Sequence, residues 1–379
     1  MGTQKSVEEM GLAQETGDDA TNRLYALILA GGQGTRLWPK SRRRMPKQML
    51  EIASENTMLQ ETFNRINPLI PAERIFVVTT ETYAHLVREQ VPVIPEGNVL
   101  VEPAGRGTAP CIGLSALYLK RLDPDSIMAS LNADHVIRDA AGFRQALTAA
   151  AQVARRGHLV TLGIRPDWPH TGYGYIQQGE LLETADGFPV YRVARFKEKP
   201  DLATAQQFLE SGDHLWNSGI FVWKTSTILE AMERYLPDLS GQLRLMEGAI
   251  GTPEESRVLR EAWEHVDTVS VDVGVLEKAD DVAVIPIQVG WSDVGSWATL
   301  LEILPADSDG NVVVNGEHVG IDTKGSLVHG GKRLVATIGL QGMIIVDTDD
   351  VLLVCPRDRA QDVKAVLDEL QRRGRDDYL

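Results

Sequence analysis

LYALILAGGQGTRLWPKSRRRMPKQ, residues 24–48, is the stretch whose reading decides the fold. An apolar run of strand length, Leu24 to Ala30, opens directly into a turn carrying Gly31, Gly32 and Gly34. Such a run reads as a strand buried on both faces. Glycines at its carboxyl end let backbone N–H groups come close to phosphate oxygens, which makes the turn an anion cradle. The dinucleotide fingerprint needs a further glycine three residues after Gly34, where Leu37 stands, and the GxxxxGK(S/T) loop is absent. Dehydrogenase and P-loop kinase readings therefore fall. Arg36 follows the turn directly and Lys47 follows Pro46, so positive charge gathers beside the cradle, as triphosphate binding requires. Arg42, Arg43 and Arg44 read as a solvated run.

Working outward, compact apolar runs recur at Arg74–Thr79, Ile127–Leu131, His158–Leu162 and Gly219–Trp223. Helix-patterned stretches lie between them, notably Thr108–Leu122 and Ala141–Arg156. This alternation predicts an α/β fold, a Rossmann-like, mostly parallel, doubly wound sheet with ligands at the carboxyl ends of its strands. After Pro305 the texture changes to short β-rich runs broken by Gly, Asn and Asp, which predicts a small all-β appendage. The closing RDRAQDVKAVLDELQRRG holds Val363, Val366, Leu367 and Leu370 at helical spacing, with Asp358 as a candidate cap. The expected organisation is a flexible tail at 1–22, a main domain at 23–305 and a small β domain with a terminal helix at 306–379.

The chain has 379 residues, 43% hydrophobic and 24% charged, enough to bury a core, and at roughly 150 residues per domain it suggests about two domains. With 38 Lys and Arg against 53 Asp and Glu, the net charge of −15 argues against nucleic acid or a membrane surface as partner, since those attract clustered cations. Cys111 and Cys355 stand far apart without a metal-binding spacing and read as reduced core thiols. The first residues lack the apolar stretch of a signal peptide, and no run approaches the ~20 apolar residues of a membrane span. A cytoplasmic location is the expectation.

The string GGQGTRLWPKSRRRMPKQ resembles the signature of the sugar-1-phosphate nucleotidyltransferases, in particular those that act on GTP and mannose 1-phosphate. The resemblance continues through EPAGRGTAP (102–110), LNADHVI (131–137), TGYGYI (171–176), FKEKP (196–200), WNSGIFVW (216–223) and GWSDVGSW (290–297), and so covers nearly everything after the tail. It implies a nucleotide-diphospho-sugar transferase type of sheet and a β-helix-like C-terminal segment. It also implies transfer of GMP from GTP to mannose 1-phosphate with release of pyrophosphate. Arg36, Lys47, Asp134 and Asp293 are the implied catalytic residues, with Asp134 and Asp293 holding Mg²⁺, a hard cation that takes a few carboxylate oxygens and completes its shell with phosphate and water. Leu29, Ala30, Gly31, Gly32, Gly34 and Thr35 would form the phosphate side of the nucleotide site. Glu102, Arg106, Gly107, Thr108 and Ala109 would form the purine side, where a Glu102 carboxylate can accept from guanine N1–H and its 2-amino group. Gly172, Tyr173, Gly174, Glu198, Lys199 and Asn217 would bind the sugar phosphate.

Two positions depart from the family pattern: Asn132 stands where proline usually precedes Ala-Asp-His, and Lys197 where an apolar residue is common before Glu198. Neither removes a functional group. The resemblance is to the short form of the family, without the isomerase barrel of longer relatives, so isomerase activity is not expected. A homodimer is expected, with the β appendage in its contacts or in domain packing. Two alternatives stay open: the same transfer to glucose or heptose 1-phosphate, and a regulatory homologue without turnover.

Overall fold

The computed structural model describes residues 19–32 and 34–379. The tail expected at 1–22 lies outside the described residues up to 18, and 19–22 form a helical turn, α1 (Asp19–Asn22), with Ala20 buried in the main core. The apolar run becomes β1 (Leu24–Leu29), and the next runs become β2 (Ile75–Thr80), β3 (Val99–Glu102) and β4 (Ile127–Asn132). A short β5 (Val136–Ile137), β6 (Leu159–Ile164), a long hairpin β7 (Tyr175–Ala185) and β8 (Phe188–Lys197), β9 (His214–Lys224), β10 (Val282–Ile287) and a short β11 (Trp291–Ser292) follow. Nine strands form one sheet in the order β3-β2-β1-β4-β9-β6-β10-β8-β7.

The expected parallel-rich sheet is present: β3, β2, β1 and β4 run parallel, as do β6 and β10. β9 enters antiparallel between β4 and β6, and the β7–β8 hairpin pairs antiparallel on the far side. The hairpin was not legible as apolar runs because one of its faces is only partly covered, so polar residues interrupt it. The sheet is covered on both faces. Leu24, Ala26 and Ile28 of β1 join one core with α2 (Met58–Ile66), α3 (Glu81–Gln90) and the alanine-rich α5 (Ala140–Arg155). Leu27 points the other way, into a core with α4 (Thr108–Leu122) and the later helices. That alternation is what the two-residue period of a strand dictates.

The C-terminal part is built of β12 (Val312–Val314), β13 (His318–Ile321), β14 (Leu327–His329), β15 (Val335–Ile338), β16 (Met343–Asp347) and β17 (Leu352–Pro356). Successive strands alternate between two small sheets: β12, β14 and β16 stack in parallel in one, β13 and β15 in the other, and β17 closes the first antiparallel. This is a coil of β-helical type. The terminal helix spans Val363–Arg372 after a 3-10 turn at Arg357–Asp362, so Asp358 lies inside that turn and Asp362 takes the position before the helix. Val363 is buried, whereas Val366 is 38% exposed.

A third core joins this coil to the segment after the glycine turn. Leu37, Trp38, Ile52 and Met58 pack with Trp297 and Leu300 and with Val312, Leu327, Ile344 and Val363. The indole N–H of Trp297 donates to the Trp38 carbonyl at 2.8 Å, and the indole N–H of Trp38 donates to the Tyr378 carbonyl at 2.7 Å. Arg42, expected in a solvated run, is instead held by Asp350 at 2.9 Å, with a second N–H on the Tyr378 carbonyl. Arg43 meets Asp376 at 3.4 Å on the surface. The apolar side chains of Ile321 and Ile338, register partners on the second coil sheet, are 55% and 73% exposed. Cys111 and Cys355 are both unpaired thiols, the first buried and the second partly so. No helix among the described residues is long and apolar enough to cross a membrane.

Trp297 is fully buried and hydrogen-bonded at the junction of these parts. Trp297→Ala is expected to cost about 3–5 kcal/mol of stability, read as an earlier urea unfolding midpoint, whereas Val366→Ala on the exposed side of the terminal helix should leave the midpoint within ~0.5 kcal/mol of the original.

Candidate active site

The glycine turn leaves β1 at the carboxyl edge of the sheet and is fixed from below. The Ala30 carbonyl accepts from Gln48 Nε2 and from the Thr79 hydroxyl, each at 2.9 Å, and Gln48 Nε2 also reaches the Gly32 carbonyl at 2.9 Å. The Leu29 carbonyl accepts from Ala133 N at 3.1 Å. Leu29 and Ala30 thus serve the scaffold through their carbonyls. Gly34 has φ +59°, and a Cβ there would lie 2.3 Å from Lys47 Cβ, so a bare α-carbon is needed to let Lys47 lie under the turn. Thr35 and Arg36 follow on an exposed 3-10 turn, and among the described residues Arg36 has no hydrogen bond or ion pair.

Lys47 is 6% exposed and organises the centre. Its ammonium donates to Asp134 Oδ2 at 3.0 Å and to the main-chain carbonyl of Asp293. An ammonium has three donors, so one remains for a ligand. Asp134 follows β4, as its sequence position predicts. Burial alone would raise its pKa, but the Lys47 charge and hydrogen bond outweigh burial and hold the carboxyl below its ordinary range. Next to it, burial pushes the His135 imidazole down to about 4, so it is neutral and accepts from the Trp291 indole N–H at 3.1 Å. Asp293 follows β11, which pairs with β5 and so brings this late loop against the segment after Asp134. Its Oδ1 accepts from the Tyr173 hydroxyl at 2.7 Å and from Gly295 N at 3.1 Å. The next residue, Val294, has φ +47° and is fully buried, a strained conformation for a β-branched residue and of the kind that functional turns retain.

The residues expected at the sugar form a second group joined to the first. Asn217 N donates to the Gly174 carbonyl at 2.8 Å, and Asn217 Nδ2 donates to Asp272 Oδ1 at 2.7 Å. A Cβ on Gly174 would lie 2.5 Å from Glu198 Oε2, so this glycine admits the Glu198 carboxylate, which in turn pairs with Lys199 at 2.9 Å. Gly172 N donates to His170 Nδ1 at 2.9 Å, and the His170 ring stacks on Tyr173 at 3.7 Å. Tyr173, in the loop expected at the sugar, points its hydroxyl at Asp293 and wedges between Trp216 and Trp291. It is the link between the two groups. Asn132, the departure from the family pattern, donates to the Gly219 carbonyl at 3.2 Å and so ties β4 to the WNSG bend.

Among the residues expected at the purine, Glu102 ends β3 beneath the turn: a Cβ on Gly31 would lie 3.0 Å from its Oε1. The carboxyl is 5% exposed, its Oε2 has no hydrogen-bond partner among the described residues, and burial pushes its pKa up to about 7. A buried oxygen without a donor is costly unless a ligand supplies one. The rest of EPAGRGTAP is zipped to residues 263–271. Trp263 Nε1 donates to the Ala104 carbonyl at 2.7 Å, Val269 N to the Arg106 carbonyl at 3.0 Å, Ala109 N to the Val269 carbonyl at 3.2 Å, and Val271 N to the Thr108 hydroxyl at 2.8 Å. Gly107, at φ +85°, permits this approach, since a Cβ would lie 2.4 Å from the Val269 carbonyl oxygen.

The Nucleotidyl transferase family model matches residues 25–310. The chain belongs to that family. A second model, for a MannoseP isomerase/GMP-like beta-helix domain, matches residues 316–370 of this transferase. Xanthan biosynthesis protein XanB of Xanthomonas campestris pv. campestris (strain B100) is 41% identical over 352 residues, which are 92% of this chain and 73% of that one. Mannose-1-phosphate guanylyltransferase of Escherichia coli (strain K12) is 40% identical over 365 residues, 95% of this chain and 76% of its own. A crystal structure from Thermus thermophilus, described as a mannose-1-phosphate geranyltransferase, matches with a TM-score of 0.84 and 34% identity over 92% of this chain and 99% of that one.

Members of the family generally use a divalent metal. The donors here suit a hard cation: the Asp134 carboxylate and the main-chain carbonyl of Asp293 meet on one ammonium, the Asp293 carboxylate is held by the Tyr173 hydroxyl and Gly295 N, and the adjacent imidazole is occupied by an indole N–H. Among the described residues no group of three or more His, Cys, Asp or Glu forms a ready-made metal cage.

Three contributors escaped the sequence reading. Gln48 lies inside the motif beside Lys47 and could have been found there. Asp272 carries no local signal. Its carboxyl is pushed up to about 6 by burial and then by the Glu198 charge, and it holds Asn217. Thr79 acts through a single hydroxyl.

Proposed function

We propose that this chain transfers GMP from GTP to mannose 1-phosphate, giving GDP-mannose and pyrophosphate. The observation that carries the reading is the Lys47 ammonium joined to Asp134 and to the Asp293 loop beside the glycine turn, in a chain about 40% identical to a mannose-1-phosphate guanylyltransferase. A phosphate oxygen of mannose 1-phosphate attacks the α-phosphorus of GTP, the bond from that phosphorus to the β-phosphate oxygen breaks, and pyrophosphate leaves. The attacking oxygen is already anionic, so no protein nucleophile is needed. The protein's work is alignment and stabilisation of charge on the transferring group.

In this reading the N–H groups of Gly31, Gly32 and Gly34, the Thr35 segment and the Arg36 guanidinium take the β- and γ-phosphates. Lys47 turns its third N–H to the α-phosphate while its other two keep the two acidic arms in register. Asp134 and Asp293 would hold Mg²⁺, which supplies neutralisation of the reacting phosphates when bound. Tyr173 aims the Asp293 carboxylate. Glu198, Asn217 and the Gly172–Gly174 loop take the sugar hydroxyls, and Lys199 the sugar phosphate. Glu102 accepts from guanine N1–H and the 2-amino group, with Arg106, Gly107, Thr108 and Ala109 forming the wall beside the base. Residues 23–305 carry the chemistry and 306–379 brace the loop after the glycine turn. Two copies associate through the exposed apolar side chains of the coil.

Lys47→Ala and Asp293→Asn are each expected to lower kcat by ~10²-fold or more, the scale of one lost preorganised contact, with far-ultraviolet circular dichroism unchanged. Near-original pyrophosphate release in either variant would refute the assignment. Because the Glu102 carboxyl titrates at about 7 and only its ionised form accepts from both guanine donors, GTP affinity should weaken as pH falls from 8 to 6. Glu102→Gln should flatten that dependence and cut the preference for GTP over ATP by ~10-fold or more, as expected when a hydrogen bond to a charged group is lost. Fluorescence titration with both nucleotides checks this, and identical pH profiles for the two proteins would count against it. Sedimentation velocity should show a dimer for the original chain and a monomer for Ile321→Lys with Ile338→Lys.

A further inference from the structure

Behind the segment that carries Asp134, a cavity of about 520 Å³ opens between α2, the loop before it and the end of the helix Trp297–Ile303. Its inner wall includes Arg65, His135 and Met58, and its rim Asn56, Arg138 and Glu302. Arg65 is 8% exposed, yet it forms no ion pair among the described residues. One N–H donates to the His135 carbonyl at 3.1 Å. The nearest acid on its own helix, Glu61, is engaged through Oε1 by the Ser54 hydroxyl at 2.7 Å and by Asn56 Nδ2 at 3.0 Å. A buried guanidinium without a carboxylate is costly, and proteins normally pair such a charge. Burial lowers the Arg65 pKa to about 10, so it is still a cation at neutral pH. Arg138, at the rim, uses one N–H on the Ile303 carbonyl and adds a second positive group.

The remaining walls restrict what can enter. Glu61 and Glu302 put two carboxylates on the cavity, which disfavours a polyanion, and Ser54 and Asn56 add neutral hydrogen-bonding groups. Two guanidiniums match a single phosphate, since the fork of each is suited to phosphate oxygens. Carboxylate, hydroxyl and amide groups around them match the hydroxyls of a sugar. The volume lies within the range of small-molecule sites.

We propose that this cavity is a second binding site, separate from the reaction centre, for a hexose monophosphate. Its phosphate lies on Arg65 and Arg138, and its hydroxyls meet Asn56, Glu61 and Glu302. The site needs no turnover and stands apart from the assignment of the reaction, so its test reads binding alone.

The experiment is calorimetric titration of the full chain with glucose 6-phosphate, inorganic phosphate and glucose as separate probes. Glucose 6-phosphate should bind saturably at one site per chain, with the other two at least ~10-fold weaker, because each offers only half of the contacts. Arg65→Gln and Arg138→Gln should each weaken binding by ~10-fold or more. Ala53→Trp, which fills the cavity and leaves the Arg65 contact to His135 in place, should abolish it. Glu198→Gln, in the sugar loop of the reaction centre, should leave it unchanged. The proposal is overturned if no saturable binding is seen, if inorganic phosphate binds as tightly as glucose 6-phosphate, or if Glu198→Gln removes binding while Ala53→Trp retains it.

Discussion

The rest of the site depends on one buried ammonium. Lys47 comes from just after the first strand, Asp134 from the end of the fourth and Asp293 from a loop near the end of the sheet, and the three meet at a single nitrogen. Taking that charge out of water is tolerable only because a carboxylate and a carbonyl face it. The arrangement in turn fixes other choices. Gly34 must lack a side chain so that Lys47 can lie against the turn, and Gln48, the next residue, laces the turn to the strand. A short segment, Pro46 to Gln48, thereby sets the height of the glycine turn and the spacing of the two loops that carry Asp134 and Asp293.

Tyr173 extends this control to the opposite wall. Its hydroxyl holds Asp293, while its backbone neighbour Gly174 holds Asn217, which holds Asp272. Hydrogen bonds joined through the Tyr173–Gly174 peptide therefore connect the charge centre to Asn217 and Asp272. The aromatic rings of His170, Trp216 and Trp291 pack around Tyr173 in this link.

How much of this could be read from the sequence varies with the physical signal. The first strand and its glycine turn were legible because they are contiguous and their composition has one meaning. The strands with both faces buried were legible for the same reason, whereas the half-covered hairpin at 175–197 hid behind its polar residues. Lys47, Asp134 and Asp293 could be named from motifs, but their common nitrogen is a tertiary fact. The family motif places Tyr173 in the loop expected at the sugar, and only the fold shows its hydroxyl turned to a residue 120 positions away. Asp272 had no signal at all, since an acid in an apolar run looks like any turn residue. Arg42 looked like solvated charge until the chain's last turns were seen to cover it.

The zipping of residues 104–109 onto 263–271 carries a consequence for anyone redesigning substrate choice. The strip at 263–271 that backs this loop runs straight on into Asp272, the carboxylate that grips Asn217. On the proposed assignment, base and sugar preference are two ends of one ribbon, so a swap that shifts the loop at 104–109 will tug on the Asn217 side as well. Altered nucleobase selectivity in this scaffold should be sought with paired changes at both ends.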